Sequence, residues 1–170
     1  MFDAKIQAWL DQEDAKVTDK IRRHGWMVQF VGGSGPCGCP ECGGDEDDSN
    51  PPFAYTVGLF GLGHPELVVV GLPPGTAAGV LNSLGAQVKA GGTLVPGVLL
   101  TLPQWPHRIV AEAIPNPGEI VLGANRHYRR PPEASVPALQ LSYDDVDGRF
   151  PWEAGYAAPE LQPRPGTWRA

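Results

Sequence analysis

Apolar residues recur at helical spacing near the N-terminus. Ile6, Leu10, Val17 and Ile21 fall on one face of residues 3–24, with Trp9 at its border. Glu13 and Asp14 interrupt that stripe and allow a break, and Gly25 is a natural C-terminal stop. The pattern then changes to short apolar runs. WMVQFV (Trp26–Val31), FAYTVGLF (Phe53–Phe60) and ELVVVGL (Glu66–Leu72) read as strands, and the unbroken third run implies burial on both faces. Ala77, Val80, Leu81, Leu84 and Val88 return to helical spacing, with Thr76 as the expected N-cap and Gly91 and Gly92 closing the element. VLLTL (Val98–Leu102) and RIVAEAI (Arg108–Ile114) predict two more strands. NPGEIVLGANRHYRRPP predicts a short helix ending before Pro131, and VPALQLSYDD (Val136–Asp145) a last strand.

This order predicts one α+β domain over residues 1–170, with a mixed, mostly antiparallel sheet and helices packed on one face. Residues 32–51 read as an inserted Cys-rich and acidic loop. Residues 148–170 read as a Pro- and Trp-rich tail packed on the core. Composition agrees: 170 residues at 42% hydrophobic can bury a core without disulfides. The 22 glycines and 19 prolines are scattered, so they imply turns and not a repeat. A net charge of −6 argues against a nucleic-acid surface. There is no apolar run of about 18 residues to span a membrane, and the charged N-terminus lacks a signal-peptide core. The chain therefore reads as cytoplasmic. Its composition permits a homodimer without requiring one.

The stretches RRHGWMVQFV, PPFAYTVGLFGLGHPELVVVGLP and ALQLSYDDVDGRFPWEAGY resemble the domain-of-unknown-function 4262 family of small bacterial proteins, over roughly residues 20–156. The FAYTVGL…GHPELVVVGLP block is the most specific part, followed by GRFPW. The resemblance implies a fold and no established activity. The Gly32–Pro51 segment looks like a departure from it.

That segment holds all three cysteines, in PCGCPECGG: Cys37, Cys39 and Cys42. Cys39-Pro40-Glu41-Cys42-Gly43 suits a tight turn aiming two thiolates at one ion, and Cys37 adds a third. Soft sulfur ligands favour zinc, and three adjacent thiols without an ion would be oxidation-prone. A fourth ligand must come from elsewhere in the chain, with His24 and His64 the candidates and Asp45 a weaker one, from another subunit, or from water, which would make the site open. The alternative is a reduced loop without metal. The acidic run from Asp45 to Asp48 reads as solvated, with a hard-cation site as the sharper alternative.

Two further clusters carry candidate chemistry. In GLFGLGHPEL, His64 and Glu66 beside Tyr55 can be read as a base and an acid at a pocket edge. The simpler reading is a turn set by Gly61, Gly63 and Pro65, with His64 capping backbone groups. ANRHYRR gathers Arg126, His127, Arg129 and Arg130 in an acidic chain. These can hold a phosphate or carboxylate, or simply solvate a helix end. His107 and Trp105 read as packing at a strand entrance, and Phe150, Trp152 and Tyr156 as tail anchors. There is no G-x-S-x-G elbow, dinucleotide fingerprint or P-loop. Three readings follow: a ligand- or partner-binding domain with a structural zinc knuckle, an enzyme with an open zinc–water site on the three cysteines, and a phosphate or nucleotide binder using Arg126–Arg130. The sequence leaves enzymatic activity open.

Overall fold

A computed structural model describes residues 3–32 and 51–170. Helix α1 spans Ala4–His24 without a break. Asp3 caps it by accepting from the Lys5 N–H at 3.0 Å, and left-handed Gly25 closes it onto the Ile21 carbonyl. Glu13 and Asp14 are tolerated because each is paired, Glu13 with Lys16 at 2.6 Å and Asp14 with a distant arginine. Strands β1 (Met27–Val31), β2 (Phe53–Val57) and β3 (Glu66–Val70) follow. Helix α2 spans Pro74–Lys89. It starts two residues before the expected Thr76 cap: Pro74 is preset for the first turn, and Pro73 supplies the carbonyl that Ala77 N–H reaches at 2.9 Å. Strands β4 (Leu99–Leu102) and β5 (Trp105–Ala113), helix α3 (Leu122–His127) and strand β6 (Ala138–Tyr143) complete the α-helices and strands among the described residues.

The six strands run in the order β1-β2-β3-β6-β5-β4. Two antiparallel meanders, β1-β2-β3 and β4-β5-β6, meet where β3 pairs in parallel with β6. The sheet is therefore mixed and mostly antiparallel, in a single α+β domain.

The helices cover both faces, not one. Ala54, Leu67, Val69, Leu139 and Leu141 pack with Val80, Leu81, Leu84 and Val88 of α2. The alternate residues Phe53, Tyr55, Val57, Val68 and Val70 pack with Val17 and Ile21 of α1 and with Val121 and Ala124 of α3. The reason lies in β2 and β3, which are buried at every position, so each face needs its own cover. Burying one side chain such as Leu81 stabilises by about 1.5–3 kcal/mol.

The chain from Gly148 to Ala170 is irregular but tied down. Gln140 donates to the Pro163 carbonyl at 2.7 Å and accepts from the Trp168 indole at 3.0 Å. Trp168 packs edge-on against Phe53 with ring centres 4.9 Å apart.

Candidate functional site

The FAYTVGLFGLGHPEL block is built around a buried carboxylate. Glu66 is 0% exposed. Its Oε1 accepts from Gly58 N–H at 2.9 Å and Phe60 N–H at 3.1 Å. Its Oε2 accepts from the Thr56 hydroxyl at 2.6 Å and Leu59 N–H at 3.2 Å. The carboxylate thus caps the 3-10 turn at Leu59–Leu62. Burial pushes its pKa above the usual carboxylate range, and the hydrogen bonds oppose that shift. Gly58 is forced by the same turn: its φ is 130°, and a Cβ there would lie 2.5 Å from the Gly25 carbonyl oxygen.

His64 is buried, and both ring nitrogens are used. Nε2 accepts from Leu94 N–H at 3.0 Å, so Nδ1 carries the proton and donates to the Pro65 carbonyl at 2.8 Å. This is the backbone-capping arrangement. Leu94 belongs to the α2-side core and Tyr55 to the other, so His64 and Tyr55 do not share a pocket edge.

The feature with binding chemistry is a groove of about 460 Å³ between α1, α3 and the edge of the sheet. Its apolar floor and walls come from Leu10, Val17, Met27 and Val57, with Trp9, 58% exposed, on the outer wall. Tyr55 stands in the floor. Its oxygen accepts from Gly123 N–H at 2.9 Å, and its own proton has no acceptor among the described residues. Burial raises its pKa, so it remains a donor at neutral pH.

Helix α3 supplies cations to the groove. Arg126 makes a two-pronged contact with Asp14 of α1, Nε at 2.8 Å and an Nη at 3.0 Å. This hydrogen bond and charge hold Asp14 below its usual pKa. The pair is half-exposed and worth about 1 kcal/mol or less. His127 is held below its usual pKa by burial, against the pull of Asp14, and so is neutral near pH 7. Arg129 lines the groove from an uncommon backbone position. It has φ 53°, and the N–H of Arg130 reaches the Asn125 carbonyl at 2.8 Å, as at a helix C-terminus where glycine is usual. Arg129 makes no side-chain hydrogen bond to a described residue.

Arg126 and Arg129 therefore face one groove, whereas Arg130 leaves it. Arg130 Nε donates to the Ala134 carbonyl at 2.5 Å, and its guanidinium lies 5.3 Å from the Phe60 ring centre. In the sequence Trp9 is only a helix border and Asp14 an interruption of the stripe. The pairing of Asp14 with Arg126 spans 112 residues and leaves no local signal.

The cysteines Cys37, Cys39 and Cys42 lie outside the described residues, as does Asp45. The described ends of their segment leave the sheet where Val31 pairs with Phe53. His24 and His64 stand at the other end of these strands, beside Met27 and Glu66, about 13 Å along the hairpin. His24 is exposed, and its carbonyl accepts from Lys89 Nζ at 3.1 Å. No group of three or more His, Cys, Asp or Glu suited to a metal occurs among the described residues. His107 packs between Trp105 and Tyr143, with ring centres at 4.9 and 5.9 Å, and Phe150 stacks on Trp152 at 4.7 Å. No helix among the described residues is long and apolar enough to cross a membrane.

No curated protein and no solved structure matches the chain significantly. A family model described as a domain of unknown function does match, over residues 20–157. That span takes in the Glu66 turn, the sheet and α3, and begins after the part of α1 that carries Trp9 and Asp14. On this match, which covers well over half of its length, the chain belongs to the DUF4262 family.

Proposed function

We propose that this chain is a binding domain for a small organic acid with an apolar body, held in the groove between α1 and α3. The observation that carries the reading is Arg129. A left-handed backbone is strained for a non-glycine residue, yet here it delivers an arginine to the groove beside Arg126. The apolar part of the ligand would lie on Met27, Val57 and Trp9. Its carboxylate or phosphate would meet Arg129 and Arg126, displacing Asp14, while Tyr55 donates from the floor.

Thermal-shift screening with carboxylate- and phosphate-bearing metabolites tests this. A ligand at a hundredfold excess over Kd should stabilise by about 2.7 kcal/mol. The shift should vanish in an Arg126→Ala, Arg129→Ala double variant and persist in Arg130→Ala, since Arg130 faces away. No stabilisation by any acid, or equal loss in both variants, overturns the reading.

A second reading rests on the cysteine spacing alone. Cys37, Cys39 and Cys42 bind one zinc ion through thiolates, as a structural knuckle on the connection between β1 and β2. The fourth ligand is His24 or His64, another group, or water; His64 would have to give up a hydrogen bond to serve. Water in that position would make the open, catalytic variant of the site. Elemental analysis of protein purified without added metal should find about one zinc per chain, absent in a Cys39→Ser, Cys42→Ser variant. Metal-free wild type with three freely titrating thiols removes the proposal.

A further inference from the structure

On the opposite side of the sheet, a cleft of about 550 Å³ opens between α2 and the β4–β5 hairpin. Thr76, Gly79 and Ser83 line it from the helix, and Leu102, Gln104 and Trp105 from the hairpin. No charged residue lines it, in a chain of net charge −6. The Thr76 and Ser83 hydroxyls, the Gln104 amide and the Trp105 indole N–H have no hydrogen-bond partner among the described residues. Trp105 is only half-buried, and its ring is fixed by edge contacts to Tyr143 at 5.3 Å and His107 at 4.9 Å.

Gly79 is the second observation. Glycine is the poorest helix former after proline, so a glycine inside α2 needs a reason. Gly85 has one: a Cβ there would lie 2.6 Å from the Trp26 ring. Gly79 has none in the fold, and neither has Gly75, but Gly75 sits in the first turn, whereas Gly79 is in the helix interior and lines the cleft. Its φ is ordinary for a helix, and a Cβ would meet nothing within 4 Å. What the missing side chain leaves is open space in the cleft.

We propose that this cleft is a second binding site and that it takes a neutral sugar ring. An uncharged occupant suits the cleft best, because no side chain in the lining pairs with a charge. It must have a flat apolar face for the indole of Trp105 and for Val80 and Leu102. It must also carry hydroxyl edges for Thr76, Ser83 and Gln104. A pyranose combines these features, whereas an acid belongs in the groove on the other face.

The test is a titration of isotope-labelled protein with glucose, N-acetylglucosamine and maltose, followed by amide and indole NMR shifts. Saturable shifts are expected at the Trp105 indole and the Gly79 and Ser83 amides, in the millimolar range typical of small uncharged ligands. Gly79→Leu fills the cleft without straining the helix and should weaken binding by about tenfold or more. Glucose 6-phosphate should bind this cleft more weakly than glucose. Absence of saturable shifts with all three sugars overturns the proposal. So do shifts that persist unchanged in Gly79→Leu, and equal binding of the phosphorylated sugar.

Discussion

Replacing Glu66 by glutamine tests whether the most distinctive block of this sequence is a structural clamp. The carboxylate offers four acceptor positions to four donors: Thr56 hydroxyl and the N–H groups of Gly58, Leu59 and Phe60. An amide has one oxygen. Placed toward Gly58 and Phe60, it leaves an NH2 facing Leu59 N–H; turned round, it leaves the NH2 facing two backbone donors. A protonated carboxyl differs, since both of its oxygens can still accept. Orphaning one or two buried donors costs about 1–3 kcal/mol each, so Glu66→Gln should destabilise by about 2–4 kcal/mol. For a chain of this length that is a fall in Tm of roughly 5–15 °C, measured by calorimetry or circular dichroism. The pH dependence gives a second readout. Burial raises the folded-state pKa of Glu66, so its contribution to stability is fully present below the ordinary carboxylate pKa. It declines as pH rises through the raised value. The glutamine variant should lack that part of the slope. A variant within about 1 kcal/mol of wild type at neutral pH would show that the four hydrogen bonds do not clamp the turn.

Further outcomes follow from neighbouring geometry. Gly58→Ala should lower stability by several kcal/mol in denaturant titration, because its Cβ would overlap the Gly25 carbonyl. His64→Ala orphans the buried Leu94 N–H and should cost about 1–3 kcal/mol by the same measurement. Asp14→Asn frees Arg126 and should tighten the binding of an acid in the groove several-fold by calorimetric titration, with Tm changing little because the ion pair is half-exposed. Val69→Asp places an unpaired charge in the α2-side core and should abolish cooperative unfolding or cost several kcal/mol.

The one-dimensional pattern determined the elements because their causes are local. The α1 stripe and its Gly25 stop, the Val80–Val88 spacing of α2, and the apolar runs of β1 to β3 each depend on residues within a few positions of one another. The continuous run Leu67–Val70 even required cover on two faces, although the helices were expected on one. Tertiary structure decided which helix took which face, because that choice depends on the crossover bringing β6 parallel to β3. It also decided the start of α2, where a proline pair outweighed a threonine cap. The groove depended on it entirely. Arg126 and Arg129 were visible as a cationic cluster, but their separation from Arg130 follows from a left-handed turn after α3. Their meeting with Asp14 and Tyr55 follows from helix packing across a sheet. Charge and hydrogen-bond complementarity between residues so far apart in the chain has no sequence period, so only the folded arrangement brings it into being.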